Sequence, residues 1–153
     1  MQRSLTEYNS ILRLLDDVYG KFKRCFGLPG CSVWVLYTLR TASAPCTQAE
    51  ICEGMMIPKQ SINSAIKRLL ADGCIVLKQG GDRREKLISL TEKGKALAAR
   101  TVDRMIAEEE KAFLAMPESE RMQFLWLFRR YAELLKAGTE IAIRTPEEGV
   151  DER

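Results

Sequence analysis

Residues 58–91, PKQSINSAIKRLLADGCIVLKQGGDRREKLISLT, decide how the whole chain is interpreted. Their first half has apolar side chains at the spacing of one helix face, namely Ile62, Ala65, Ile66, Leu69 and Leu70. Pro58 suits the first position of a helix, and Gly73 suits the residue after its last turn. The sequence therefore predicts a short amphipathic helix over residues 58–72.

The opposite face of this predicted helix carries cations, amides and hydroxyls of the kind that contact base edges and phosphates. These residues are Lys59, Gln60, Ser61, Asn63, Ser64, Lys67 and Arg68. Two β-like runs follow at residues 74–78 and 86–90, and a turn with two glycines and two arginines joins them. A helix followed by a strand, a basic turn and a second strand is typical of a winged helix-turn-helix.

A shorter predicted helix precedes this unit. Thr47-Gln48-Ala49-Glu50 matches a capping box, in which the Thr hydroxyl and the Glu carboxylate each bind the other residue's backbone amide. It opens a helix over residues 48–53, and Gly54 begins the turn toward Pro58. Upstream, Ser32 is expected to cap a mostly apolar helix that runs to about Arg40.

Long helical patterns flank the predicted DNA-reading unit at residues 4–26, 92–115 and 117–138. Five large apolar residues occupy positions 124–128 in a row, and one helix face cannot bury all of them. We therefore expect a second subunit to cover this segment. The predicted fold is mainly α with a small β wing: dimerisation helices at residues 1–30 and 92–140, a winged helix-turn-helix at 31–91, and an acidic flexible tail at 141–153.

Positive charge is concentrated in one part of the chain. The 153 residues carry a net charge of +3, but residues 59–95 contain nine Lys and Arg against four Asp and Glu, a net of +5. The remainder therefore carries −2. A basic region in a nearly neutral chain favours a phosphate-binding surface over a generally solvated one.

The residue types present argue against several classes of enzyme and metal site. The chain has five cysteines and no histidine, which excludes Ser-His and Cys-His catalytic pairs and the H-E-x-x-H zinc motif. The cysteines lack a common zinc spacing, so we expect no metal and no cofactor. Residues 1–9 are polar and no stretch is long enough to span a bilayer, so a cytoplasmic protein with no membrane partner is expected.

Three motifs together resemble the multiple-antibiotic-resistance regulator (MarR) family of bacterial transcription factors. DRR at 82–84 followed by LTEKG at 90–94 is similar to the family's D-x-R wing and L-T-x-x-G helix start. LLADGCI at 69–75 is similar to the turn that leaves the recognition helix, and TQAEI at 47–51 is similar to the preceding helix. The likeness covers nearly the whole chain, from the first long helix to the last.

The resemblance implies a homodimer that binds a pseudo-palindrome in double-stranded DNA, usually as a repressor released by a small molecule or by oxidation. Recognition helix 58–72 would enter the major groove. The wing, residues 79–86, would place Arg84 in the minor groove, where narrow A·T tracts attract guanidinium groups. Asp82 would hold Arg84 by charge-assisted hydrogen bonds, and Arg83 would add positive charge.

The sequence also suggests where a signal could act. Tyr19, Trp34 and Tyr37 are candidates for a pocket that binds an aromatic or apolar effector, although core packing explains the same residues. Cys25, at the end of the first long helix, is the candidate for redox sensing. Alternatives that remain open are a transcriptional activator, a cysteine-based redox sensor of the same fold, a winged-helix module that binds protein instead of DNA, and a histidine-free enzyme.

Overall fold

The structure, a computed structural model, describes residues 2–53, 57–81 and 86–144. Within these ranges the helices are α1 Gln2–Phe26, α2 Gly30–Thr41, α3 Gln48–Glu53, α4 Lys59–Ala71, α5 Glu92–Arg100, α6 Val102–Ala115 and α7 Glu118–Arg144, and the strands are β1 Cys46–Thr47, β2 Ile75–Gln79 and β3 Lys86–Leu90. The prediction of a mainly helical fold with a small wing is confirmed.

The chain folds as two units, residues 1–108 and 109–153. In the first unit, helices α2 to α5 pack against the sheet, and the start of α6 adds Val102 and Met105 to the same core. The C-terminal half of α1 joins this core through Tyr19, Phe22 and Phe26. Across the described residues, no helix combines the length and apolar composition that a bilayer span requires.

The three strands form an antiparallel sheet in which β3 lies between β1 and β2. Gln79 pairs with Lys86, so β2 and β3 hold the two ends of the predicted wing side by side. The wing residues Asp82, Arg83 and Arg84 lie outside the described residues. Strand β1 was not predicted, because two residues are too few to show an alternating pattern.

The core of the first unit is built from one face of each element. Its buried apolar residues are Val33, Val35, Leu36, Cys46, Ile51, Ile62, Ala65, Ile66, Leu69, Cys74, Ile75, Ile88, Ala98, Val102 and Met105. Four of the five residues predicted for the apolar face of α4 are in this set. The prediction is wrong for Leu70, which is 40% exposed, because it lies at the edge of the apolar stripe.

The predicted continuous helix over residues 92–115 is wrong, because Thr101 divides it into α5 and α6. Thr101 has φ −126° and ψ −92°, outside the helical region. Its buried hydroxyl donates to the Leu97 carbonyl oxygen at 2.6 Å, and its backbone N–H donates to Ala98 at 3.0 Å. A threonine hydroxyl that binds a carbonyl one turn back is a common cause of bending, and here the helix is interrupted.

Further helix boundaries differ from the prediction. Helix α2 begins at Gly30 with Pro29 at its N-cap, so Ser32 lies buried in the first turn and does not cap the helix. Its backbone N–H donates to the Pro29 carbonyl oxygen at 2.9 Å, which is an intrahelical bond. Helix α7 continues past Gly138 to Arg144, since residues 139–144 contain no proline and glycine alone does not end a helix. Residues 141–144 of the predicted flexible tail are therefore helical, and residues 145–153 lie outside the described residues.

The end of α4 is locked by a Schellman motif. Gly73 has φ +67°, and the backbone N–H groups of Gly73 and Cys74 donate to Leu70 and Leu69 at 3.0 and 2.8 Å. Because Cys74 still belongs to this cap, β2 begins one residue later than predicted and ends one residue later, at Gln79. The predicted role of Gly73 after the last helical turn is confirmed.

The start of α5 is bound to the same cap. The Thr91 N–H donates to the Cys74 carbonyl oxygen at 3.0 Å, and the Thr91 hydroxyl donates to the Gly73 carbonyl oxygen at 2.7 Å. The same hydroxyl accepts the Gly94 N–H at 3.1 Å, so Thr91 is the N-cap of α5, as predicted. A Cβ atom at Gly94 would lie 1.8 Å from the Cys74 carbonyl oxygen, so only glycine fits there.

We expect Gly94→Ala to lower the free energy of unfolding by on the order of 2–3 kcal/mol, because the methyl group must push α5 away from the Cys74 backbone. Urea titration followed by circular dichroism measures this change. Gly138→Ala makes the same exchange in a helix where a Cβ meets nothing within 4 Å, and it should stabilise the chain slightly. Equal stability of the wild type and Gly94→Ala would contradict the close approach.

Candidate nucleic-acid interface

Helices α3 and α4 form the helix-turn-helix. The Thr47 N–H donates to Glu50 Oε2 at 2.6 Å, and the Glu50 N–H donates to Thr47 Oγ1 at 3.2 Å, so the predicted capping box is present. These hydrogen bonds lower the pKa of the Glu50 carboxyl, because both the backbone and the hydroxyl of Thr47 donate to its charged form. The capping box therefore fixes where α3 begins relative to β1.

Helix α4 buries one face and exposes the other. Its side chains at Lys59, Gln60, Ser64, Lys67 and Arg68 are exposed, while those at Ser61 and Asn63 are half-buried. The Ser64 hydroxyl donates to the Gln60 carbonyl oxygen at 3.1 Å, so it offers mainly lone pairs to a ligand. Pro58 is the N-cap, one residue earlier than the helical position predicted for it, and it makes no side-chain cap bond.

Asn63 is also tied to the neighbouring helix. Its Oδ1 accepts a hydrogen bond from Nε2 of Gln48, the first residue of α3. The contact spans 15 residues of sequence, and no local pattern points to it. Gln48 thus contacts a residue of the candidate surface, and the sequence did not single it out.

The sheet adds cations beside α4. Lys78, Gln79 and Lys86 are exposed where β2 and β3 run out toward the wing. Their placement gives the wing a polar, positively charged base. Lys78 and Lys86 were counted in the basic region, but they were not predicted as DNA contacts. Sequence alone does not show which side chains of a strand are exposed to solvent.

The sequence and the fold of this chain are similar to those of known helix-turn-helix transcription regulators. The MarR family profile matches residues 26–85. YwoH of Bacillus subtilis, an uncharacterized HTH-type transcriptional regulator, is 30% identical over 127 residues, which cover 83% of this chain and 92% of that protein. The chain belongs to the MarR family. PecS of Dickeya dadantii, an HTH-type transcriptional regulator, is 31% identical over 77% of this chain and 70% of that protein.

The MarR fold extends beyond the matched segment. The solved structure of NMB1585, a MarR family regulator from Neisseria meningitidis, superposes with a TM-score of 0.78 at 28% identity, over 91% of this chain and 98% of that one. The chain therefore has the DNA-binding winged helix-turn-helix fold of MarR regulators. Its relatives and its fold indicate a transcription regulator and not an enzyme.

The three aromatic residues predicted for an effector pocket are brought together. The ring centroids of Tyr19 and Trp34 lie 5.3 Å apart, and those of Trp34 and Tyr37 lie 5.7 Å apart. All three rings are half-buried and pack against the core, which joins α1 to α2. Their positions therefore fit core packing, and their partial exposure also leaves ring surface for an effector.

The cysteines of this MarR chain are free thiols. Cys25 is exposed and lines a surface depression of about 320 Å³ with Val18, Lys21, Phe22 and Arg104. Cys46 is buried, and burial raises the pKa of its thiol. Cys25, the predicted redox candidate, is thus the most exposed of the five cysteines, and its redox role stays a prediction.

We expect the capping box to make stability depend on pH. Because folding lowers the pKa of Glu50 below its ordinary value of 4.5, its stabilising effect is complete above that value and is lost as the pH falls through the folded-state pKa. The stability difference between the wild type and Glu50→Gln should therefore be largest near neutral pH and shrink at acid pH.

Urea titrations across this pH range measure the difference. Glu53→Gln removes the same charge at the other end of α3, outside the capping box, and serves as the control. A wild-type advantage over Glu50→Gln that stays constant down to about pH 3 would contradict the assignment.

Proposed function

We propose that the chain is a homodimeric transcriptional regulator that represses a nearby operon by binding a pseudo-palindromic operator. Helix α4, with its flanking residues 58–72, would enter the major groove, and the wing at 79–86 would reach the adjacent minor groove. A small-molecule effector would modulate this binding. The observation that carries the proposal is the division of α4 into a buried apolar face and an exposed face of cations, amides and hydroxyls.

The exposed groups of α4 divide by chemistry into two roles. Gln60, Ser61, Asn63 and Ser64 would contact base edges, because amides and hydroxyls match the donor and acceptor pattern of the major groove. Lys59, Lys67 and Arg68 would bind phosphates or guanine edges. The exposure of all three cations supports this division, since phosphate contacts require accessible charge.

The wing would supply the second contact. We assign the minor-groove contact to Arg84, its support to Asp82, and additional phosphate attraction to Arg83. The pairing of Gln79 with Lys86 supports this proposal, because it holds the two ends of the wing side by side. The exposed Lys78 and Lys86 add positive charge at the base of the wing, one on each face of the strand pair.

Dimerisation would bury apolar side chains that the single chain leaves exposed. On α1 these are Leu5, Ile11, Leu12, Leu14, Leu15 and Val18, and on α7 they are Met122, Phe124, Leu125, Trp126, Leu127, Phe128, Tyr131, Leu134, Leu135, Ile141 and Ile143. A soluble monomer rarely exposes so large an apolar surface. A second copy of the chain is the partner that the symmetry of a pseudo-palindrome requires.

An aromatic or apolar effector would bind near Tyr19, Trp34 and Tyr37. The rings of Trp34 and Tyr37 meet edge to face and that of Tyr19 is tilted against Trp34, so they offer surfaces for an aromatic ligand. The cluster joins α1 to α2 within the first unit. A ligand that separated α1 from α2 would alter the position of the core elements on which α4 packs. Release of bound DNA by such a compound, with a change in Trp34 fluorescence, would support this assignment.

We expect Arg84→Ala and Lys67→Ala to weaken DNA binding in different ways. Arg84→Ala should cost roughly 1–3 kcal/mol and reduce the preference for A·T-rich flanks. Lys67→Ala should weaken binding to all sequences alike and lower the salt slope by about two units, because the homodimer loses one phosphate contact in each half-site. Selection of duplexes from a random pool, followed by affinity measurements at several salt concentrations, separates the two effects.

The control for these variants is Lys136→Ala, which removes an exposed charge from α7 and not from α4 or the wing. Its affinity and salt slope should match those of the wild type. A wild-type affinity for duplex DNA that does not change with salt would contradict the proposed interface and would favour a protein-binding winged helix.

We also expect Leu134→Glu to disrupt the dimer. Leu134 is 65% exposed in the single chain, and a carboxylate there would have to lose its hydration on association. Light scattering should show that the wild type has twice the chain mass of 17.4 kDa. The substitution should raise the dissociation constant of the dimer by more than about tenfold. Gln123→Glu adds the same charge at an exposed polar position of α7 and should leave the mass unchanged. A monomeric wild type would overturn the dimer.

A further inference from the structure

The hydrogen bond from Gln48 to Asn63 lies at the edge of the face proposed to read DNA. Gln60, Ser64 and Lys67 occupy the centre of the exposed face of α4, and Asn63 lies one helical row from them, on the side of α3. Both amide side chains are half-buried. Asn63 is therefore close enough to the exposed face to reach a base, and it is already held by another side chain.

The direction of this hydrogen bond fixes the orientation of the Asn63 amide. Gln48 Nε2 donates and Asn63 Oδ1 accepts, so the oxygen branch of Asn63 is turned toward α3. The oxygen and nitrogen of an amide lie on opposite branches of one plane, so Nδ2, which carries two N–H donors, is turned away from α3. The group left for an external partner is a donor.

An Asn side chain whose oxygen is already hydrogen-bonded can only donate to a base, so it selects base pairs differently from an Asn side chain whose oxygen and nitrogen are both free. An asparagine that reads adenine uses both branches at once: Nδ2 donates to N7, while Oδ1 accepts from N6. A group that only donates instead prefers the edge with two acceptors, guanine O6 and N7, and it tolerates thymine O4. It has no acceptor for the N4 amino group of cytosine.

We propose that Gln48 is a specificity-determining positioning residue that holds Asn63 as a hydrogen-bond donor, so that the regulator prefers guanine over cytosine and adenine at the base contacted by Asn63. This inference rests on the proposed function, because it needs α4 in the major groove. What is new beyond the proposed function is that a residue of α3, the preceding helix, determines which base is preferred at one position. Gln48 itself acts through Asn63 and does not need to touch DNA.

A purely structural role for Gln48, in which it only joins α3 to α4, makes a different prediction. Loss of such a contact would lower stability and weaken binding to all duplexes equally. Loss of a positioning contact would instead change which base is preferred at one position. The sequence profile of the bound duplexes therefore separates the two roles, whereas affinity for one duplex does not.

The experiment selects duplexes from a random pool with the full-length wild type and three variants, after circular dichroism has shown that each variant is folded. Asn63→Ala identifies the position that Asn63 reads, since the base preference there should fall by roughly fivefold or more. At that position the wild type should select guanine over cytosine by about tenfold.

The two Gln48 variants should then move the preference in defined directions. Gln48→Ala releases Oδ1, so the amide can bind adenine with both branches, and adenine should become at least as frequent as guanine. Gln48→Glu supplies only acceptors, so the Asn63 amide should turn over and donate to the new carboxylate. Oδ1 would then face the base, and cytosine and adenine should be favoured over guanine.

Several outcomes would overturn the inference. An unchanged profile in Gln48→Ala and Gln48→Glu would reduce Gln48 to a structural contact, and an unchanged profile in Asn63→Ala would remove Asn63 from the interface. A wild-type preference for adenine would mean that Oδ1 still accepts a base proton through its second lone pair. Failure of the proposed function gives a separate result, because the wild type would then enrich no duplex even at low salt.

Discussion

The close approach of Gly94 to the Cys74 carbonyl oxygen is the constraint on which the rest of the first unit depends. At this point the end of α4, the start of β2 and the start of α5 meet within a few residues. Thr91 completes the junction, because its hydroxyl and backbone N–H donate to the carbonyl oxygens of Gly73 and Cys74. The end of α4 is thereby fixed to the start of α5.

A second consequence of this junction is that α4 presents its polar face in a defined direction. The core holds Ile62, Ala65, Ile66 and Leu69, so the cations and amides of α4 remain on the outside. The total charge of +3 says little about DNA, whereas the net charge of +5 over residues 59–95 would provide the attraction that the proposed phosphate contacts need. Position, and not net charge, is what makes this surface suitable for the proposed operator contact.

The sequence predicted those features of the fold that local patterns determine. The apolar period of α4, the Thr47–Glu50 capping box and the Gly73 turn each depend on residues within one or two helical turns, and each was found where expected. The features that it missed depend on distant partners or on a single side chain. Strand β1 exists because β3 pairs with it, and the break at Thr101 is a change of backbone conformation at one residue inside an otherwise helical pattern.

In the candidate site, too, local patterns could be predicted from the sequence and contacts between distant residues could not. Its residue types could be predicted, since polar residues on one face of α4 are visible from the helical period. The hydrogen bond between Gln48 and Asn63 could not be predicted, because it joins residues of two different helices that are 15 positions apart in the sequence. The assignments of Arg84 in the wing and of Tyr19 and Trp34 to an effector rest on the resemblance and on proximity, and they remain proposals.

The central claim is that one recognition helix and one wing form a single contact, which a pair of chains presents twice. Hydroxyl-radical footprinting on a selected duplex, with the number of bound chains measured in the same complex, tests it most directly. The account predicts two chains on each duplex and two protected segments related by a dyad, about one helical turn or roughly 34 Å apart. One chain on a single protected segment without a dyad would contradict it.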